Sequence, residues 1–588
     1  MKYLIFPALL FFHVAGYAQQ TYCNPIDIDY TYVSHHAHKG VGYRAGADPA
    51  VINFNDEYYM FVTRSFGYWH STDLLNWTFI EPVDWFFSAS NAPGAYAFGD
   101  KIIALGDPSA IGSVIETDNP KVGDWKTNYA VLPMSVWDPA LFVDDDNKVY
   151  LYEESSNKNP IRGVELDPDN MFLPKTEQVD FFTLDPEKHG WERFGQNHTS
   201  DLTPYMEGAW MTKHNDTYYL QYAAPGTQWN VYADGVYTSD KPLGPFTYAP
   251  YNPVSYKPRG FLSGAGHGST VRTNSGDYWH FATMLISVNY KYERRIGMFP
   301  AGFEDDGQMY VNNAYGDYPH YGPDTTVEDH KNRFTGWMLL SKGKKVKTNS
   351  VLQEKIHKTV DVSDENKQQL EEDDYSIQNI ADENIRTFWT AENNSDSIYF
   401  EMDLGSEMQV NAIQINFMDF NSKIFGRKEG LTQQFVIEVS NDGITWKTLI
   451  DRSEATDDRP NFYHELESPI KSRYIKFRNV SFHNQYLSIA EFRVFGKGGG
   501  KAPKTPKDFV VERQTDLRNA NVSWRSEKNA MGYVLYWGIS PDRLNNSVMI
   551  YQGNSYEIRA LNVDQNYFYA VESFNENGIS KKTNILSD

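Results

Sequence analysis

The sequence predicts an all-β chain: a five-bladed β-propeller followed by two β-sandwiches. Three observations carry this. Strand and turn signals are dense from Gly40 to about Gly336, and long helical periodicity is scarce. The stretch Tyr43-Arg44-Ala45-Gly46-Ala47-Asp48-Pro49-Ala50-Val51-Ile52 returns in altered form as Ser135-Val136-Trp137-Asp138-Pro139-Ala140-Leu141-Phe142. Units of this kind recur roughly 45 to 70 residues apart, the spacing of four-stranded blades.

Each Asp-Pro step precedes an apolar run, a polar turn and a second apolar run, which reads as a hairpin. Proline suits the start of a strand because it cannot donate to the ladder. Two carboxylates therefore stand at matching places on matching hairpins, the pattern of a radial fold with a central site. The first unit carries Asp48 and ends near Asn76-Trp77. The second runs from Ala92 to Trp125. The third carries Asp138. The fourth begins Tyr205-Met206-Glu207-Gly208-Ala209-Trp210, and the fifth Gly264-Ala265-Gly266-His267-Gly268-Ser269-Thr270.

After Trp337 the composition changes. Lys342 to Lys347 is basic and Asp361 to Asp374 is polar and acidic, both read as solvated faces or linkers. A second all-β pattern follows, closing at Glu491-Phe492-Arg493-Val494-Phe495-Gly496. Gly498-Gly499-Gly500 with Pro503 and Pro506 reads as a linker, flexible and then stiffer. It implies a separable last module. That module holds about seven short strands, with Trp524 inside Val522-Ser523-Trp524. Leu561 and Tyr567, then Tyr569 and Val571, have the spacing of a tyrosine corner. The division expected is 1–18 signal peptide, 19–336 propeller, 337–497 first sandwich, 498–506 linker and 507–588 second sandwich.

With 588 residues the chain is too long for one core. Its net charge of -23 disfavours nucleic acid and anionic membrane surfaces as partners, since both need a basic footprint. Aromatic residues are 15%, a mix that suits sheets and carbohydrate-facing surfaces alike. Lys2, the apolar run Tyr3 to Val14 and the Gly16-Tyr17-Ala18 cleavage site read as a secretory signal peptide. The apolar run is too short for a transmembrane segment. Cys23 lacks the small preceding residue of a lipid-anchor signal, so the chain is expected in the periplasm or outside the cell. A single cysteine excludes an internal disulfide.

The Asp48-Pro49, Asp138-Pro139 and Met206-Glu207-Gly208 segments, in this order, resemble glycoside hydrolase family 43, a five-bladed propeller family. Ser71-Thr72-Asp73-Leu74 with Asn76-Trp77, and Pro300-Ala301-Gly302-Phe303 with Asp306-Gly307, strengthen the likeness. The middle stretch resembles discoidin-like domains, many of them carbohydrate-binding modules of family 32, and the last resembles fibronectin type III. Asn91 stands where family members often have Trp, which implies an altered pocket.

The resemblance implies Asp48 as general base, Glu207 as general acid and Asp138 as the third carboxylate. A negative charge at Asp138 would help Glu207 keep its proton. Arg294 matches a family arginine that contacts the sugar, with Arg295 as competitor, and Trp137 and Arg44 as further substrate contacts. His267 matches a histidine near the propeller axis, where a structural calcium would be mostly water-ligated; the chemistry itself requires no cofactor. His35, His36 and His38 look metal-like but lack an acidic partner at fitting spacing. The implied function is an exported, exo-acting, inverting hydrolase of plant-type polysaccharide side chains, α-L-arabinofuranosidase first. β-D-Galactofuranosidase, β-xylosidase and exo-galactanase share the site, and a non-catalytic glycan-binding protein is the alternative from another class.

Overall fold

The computed structural model describes residues 20–34, 40–83, 90–106, 112–127, 130–323, 325, 327–353 and 375–588. The expected signal peptide, the three histidines His35, His36 and His38, and the whole Asp361 to Asp374 stretch lie outside the described residues.

Short apolar runs, buried on both faces, build five antiparallel sheets in sequence order. The first is Ala50–Phe54, Glu57–Phe61, Tyr68–Ser71 and Thr78–Ile80. The second is Gly94–Phe98, Lys101–Leu105, Ile115–Thr117 and Lys126–Thr127. The third is built on Ala140–Val143, Val149–Glu153 and Ile161–Asp167, the fourth on Glu207–His214, Thr217–Ala224 and Ala233–Ser239, and the fifth on Ser263–Arg272, Tyr278–Leu285 and Arg294–Phe303. The first strand of each sheet touches the first strand of the next, and the fifth returns to the first. That closed ring of inner strands is a five-bladed propeller, in which each inner sheet edge is short and covered by its neighbours.

Both Asp-Pro hairpins form as read. Ala50 pairs with Phe61, and Ala140 with Tyr152. Pro49 and Pro139 sit one residue ahead of the strands, where a missing N–H costs no ladder bond.

An eight-stranded sheet follows, dominated by Tyr399–Phe417, Gln433–Ser440, Tyr463–Phe482 and Ser488–Lys497. It packs its own core around Trp389, Phe400, Phe477 and Phe492. The last residues form a three-stranded and a five-stranded sheet. Trp524 packs on Tyr533 between them, and the Tyr567 hydroxyl accepts the Asn562 N–H at 3.0 Å.

The composition of 498–506 misleads about its mechanics. Gly498 N–H donates to Glu576 O and Gly500 N–H to Asn577 Oδ1, each at 2.7 Å, and Ser573 Oγ donates to Lys504 O at 2.7 Å. The stretch is a bonded strap. Nor does the last module hang free. Trp191, Trp229 and Tyr256 of the propeller share one apolar core with Trp537, Leu561 and Tyr567. Cutting the chain after Gly496 would expose that core, so the separability read from the glycines and prolines does not hold.

Candidate active site

The starts of four inner or near-inner strands converge at one end of the propeller. Asp48 and Asp138 both adopt left-handed backbone, with φ of 55° and 47°. Aspartate tolerates this region better than most residues. The same turn, repeated in blades one and three, delivers two carboxyls to the same end of the ring. Glu207 opens the inner strand of blade four, and the register shifts between it and Trp210. Gly208 follows at φ +69°, and a Cβ there would lie 2.8 Å from His267 Cγ. Glycine is therefore what lets the imidazole approach.

His267 sits within the irregular inner strand of blade five. Its N–H and that of Gly268 donate to the Asp234 carboxylate at 2.7 and 2.9 Å. Its Nδ1 lies 3.3 Å from Asp48 Oδ1 and 3.9 Å from Asp138 Oδ2. Asp138, Glu207 and His267 each offer a ligand atom within 4.8 Å of the others. Calcium takes six to eight oxygens, so an ion held by these three would be mostly water-ligated. The same atoms belong to the cluster of carboxyls at this end of the ring.

Asp48 is held as an anion. Burial opposes its charge, but Arg294, His267 and the hydroxyls of Thr63 and Thr283 outweigh burial and lower its pKa. Thr63 Oγ1 donates to Oδ2 at 2.6 Å, and Arg294 Nη1 lies 3.4 Å from Oδ1. Asp138 and Glu207 go the other way. Burial raises both, and His267 only partly offsets it. Asp138 is pushed up to about 8, with the Glu207 and Asp48 charges adding to burial. For Glu207 the Asp48 charge adds to burial, while the Tyr232 hydroxyl, donating at 2.6 Å, opposes it. Two buried carboxyls this close hold a proton between them near neutral pH. Burial lowers the basicity of His267, but Asp48, Asp138 and Glu207 together raise its pKa.

Asp48, Asp138 and Glu207 line a cavity of about 440 Å³, shared with Trp137, Tyr292, Phe194 and Arg294. Trp137, which borders the cavity, is 46% exposed.

Two arginines are not where the sequence reading put them. Arg44 does not contact the cavity. It is fully buried, with Nε 2.9 Å from Asp419 and Nη1 2.6 Å from Asp458, both in the second module. Arg295 is also buried away from the cavity. It donates to the carbonyls of Arg44 and Arg294 and lies 3.8 Å from Glu293. Neighbouring residues of a strand face opposite ways, so only Arg294 reaches the site. We expect Arg294→Ala to lower kcat/KM on the order of 10- to 100-fold, the size of a lost charge-assisted hydrogen bond. The acidic limb of the pH profile should move to higher pH, because Asp48 loses a partner that lowers its pKa. Arg295→Ala should instead lower the melting temperature. The reverse pattern in kinetics and calorimetry would exchange the two roles.

Asp138→Asn has a signed expectation too. Removing a neighbouring negative charge lets Glu207 lose its proton more easily, so the alkaline limb of the pH–rate profile should move to lower pH. An unmoved limb would show that Asp138 and Glu207 do not share a proton.

Sequence reading missed Thr63, Thr283, Tyr232 and Ser155, which donates to Glu207 Oε2 at 3.3 Å. A signal for Thr63 exists: with Ala50 opposite Phe61, position 63 falls opposite Asp48. The others come from different hairpins and leave no local trace.

A propeller with ionised and protonated carboxyls facing each other in one cavity defines a class of acid–base active sites. Comparison with known proteins narrows the class. Residues 39–309 match the model of glycosyl hydrolases family 43, and residues 360–492 match the F5/8 type C domain. The chain thus carries a family 43 glycosyl hydrolase domain joined to an F5/8 type C domain. It is 26% identical over 268 residues to a xylan 1,3-beta-xylosidase from Vibrio sp, covering 40% of this chain and 46% of that protein. It is 28% identical over 269 residues to a putative beta-xylosidase of Escherichia coli (strain K12), with the same two shares, 40% and 46%. An arabinoxylan arabinofuranohydrolase of Paenibacillus polymyxa is 34% identical over 118 residues, 19% of this chain and 17% of that protein. The chain spans less than half the length of each of these relatives.

Proposed function

We propose that the chain is an exported, exo-acting, inverting glycoside hydrolase that removes pentose units from xylan- or arabinoxylan-type polysaccharides. α-L-Arabinofuranosidase is the first activity to test and β-xylosidase the second. One observation carries the reading: the Asp48 carboxyl is lowered and held ionised while those of Asp138 and Glu207 are raised and share a proton, in the same cavity. Glycosidic cleavage needs that opposition, a proton for the leaving oxygen and a base for water on the other face of the sugar.

In this mechanism Glu207 donates its proton to the glycosidic oxygen as the bond to the anomeric carbon breaks. Asp48 takes a proton from the attacking water, and the oxygen of that water bonds to the anomeric carbon with inversion. Arg294 orients Asp48 and meets a sugar hydroxyl. Asp138 keeps Glu207 protonated until the transition state. The domain resemblances add the setting: a discoidin-like module, a last module read as fibronectin type III, and export directed by residues 1–18.

The test is turnover of a panel of aryl furanosides and pyranosides, with proton NMR of the first-formed sugar. Release with the configuration of the substrate would overturn the inverting assignment. Glycan binding with no turnover would favour a non-catalytic propeller.

A further inference from the structure

Among the described residues, two aromatic side chains stand out as exposed: Trp137 at 46% and Phe425 at 54%. Trp137 borders the cavity. Phe425 belongs to the second module, yet its ring meets Phe66 of the propeller edge-on, with centroids 5.9 Å apart at 88°.

Phe66 is close to the chemistry. Thr63, which bonds Asp48, lies three residues earlier, at most about 11 Å of extended chain. Between them Arg64 Nε donates to Asn91 Oδ1 at 3.0 Å, and Asn91 lines the cavity. The rim therefore runs from Phe425 to Phe66 on blade one, to Asn91 ahead of blade two, to Trp137 ahead of blade three.

Both sides of the aromatic pair are built. Arg64 and Phe66 have φ of 51° and 64°, values that bulky side chains rarely adopt. Backbone strain of this kind persists only where surroundings enforce it. Here Arg64 N–H donates to Ser90 O at 2.9 Å, and Thr31 Oγ1 donates to Ser65 O at 2.7 Å. On the other side, Gly42 N–H donates to Ser422 O at 2.9 Å and Gly426 N–H to Tyr32 O at 2.8 Å. Arg427 is paired with Asp29. A Cβ on Gly42 would fall 1.8 Å from Ile424 O, so the two modules touch backbone to backbone at this loop.

We propose that Phe425 and Phe66 form a platform for a distal sugar ring of the glycan chain, a subsite the second module adds to the propeller's cavity. The proposal rests on the glycoside hydrolase reading. A single exposed phenylalanine means little. A pair anchored on both sides, its Phe66 strained and three residues from the cavity's Thr63, marks a ligand groove. The apolar face of a sugar ring fits the phenyl surface. The exposed Arg64 beside it supplies donors for the hydroxyls at the ring's edge.

The test compares the full chain with its Phe425→Ala and Phe425→Tyr variants. The ratio of kcat/KM on arabinoxylan to kcat/KM on an aryl pentoside should fall about 3- to 10-fold in Phe425→Ala, the size of one lost aromatic contact. Phe425→Tyr should restore it. Affinity electrophoresis through arabinoxylan should show the same order of retardation. An unchanged ratio with unchanged retardation would overturn the platform, as would a Phe425→Tyr variant that behaves like Phe425→Ala. A wild-type chain that turns over neither substrate, yet whose retardation depends on Phe425, would overturn the hydrolase reading and keep the platform.

Discussion

Glu207→Ala is expected to lose about 10²–10⁴-fold in kcat on a natural glycoside and far less on a dinitrophenyl glycoside. The asymmetry follows from what a general acid supplies. A sugar alkoxide is a poor leaving group and needs a proton as the bond breaks. Dinitrophenolate leaves without one. Asp48→Ala should be poor on both substrates, because neither can do without an activated water. The environments on the two carboxyls support this division. Asp48 accepts from Thr63 and lies beside Arg294 and His267, all of which favour its anion. Glu207 is buried next to the Asp48 charge, which favours its acid. Steady-state kinetics on the two leaving-group types decides the point. Equal damage to both substrates in Glu207→Ala would remove Glu207 from the role of acid.

The second large effect is on stability. Arg44→Met should destabilise the folded chain by about 3–5 kcal/mol, the usual cost of breaking a buried ion pair by removing one partner. Asp419 and Asp458 would be left without the guanidinium that faces them at 2.9 and 2.6 Å. The sign with pH follows from Asp419. Burial opposes its charge, but Arg44, His483 and Tyr32 hold its carboxyl well below its usual value of 3.8. Stability from a depressed carboxyl is present above the unfolded pKa and is lost as pH falls through the folded one. The gap between wild type and Arg44→Met should therefore be full at neutral pH and narrow below about pH 4. Urea unfolding at several pH values measures this. A gap that does not change with pH would assign the loss to packing alone.

The two predictions separate what different stretches of the chain do. Glu207 lines the cavity, whereas Arg44 joins two modules. In the sequence they look alike: a charged residue near a turn, ahead of an apolar strand. The meeting of the cavity's carboxyls was legible because their signal is local. An Asp-Pro step at a strand start has one geometry, and repeating it in two hairpins places both acids at the same end of the ring. Glu207 was legible through its position at the head of the fourth unit. The blade count was legible too, because each unit is a run of short strands closed by turn residues.

What the sequence by itself determined is thus the set of strands, their hairpin register and the three acids that the turns carry. Only the tertiary structure decided which arginine serves the site. Arg294 and Arg295 are adjacent and chemically identical, and alternation along the strand sends them to opposite faces. The face that becomes the cavity is set by the packing of blades, not by either residue. The same holds for Arg44, whose partners Asp419 and Asp458 lie 375 and 414 residues away along the chain. It holds as well for the strap at 498–506, where glycines and prolines suit a free linker equally well. Local backbone preference acts over a few residues and so can be read from them. A charge pair or a shared core depends on which distant surfaces meet, and that is settled only when the modules pack.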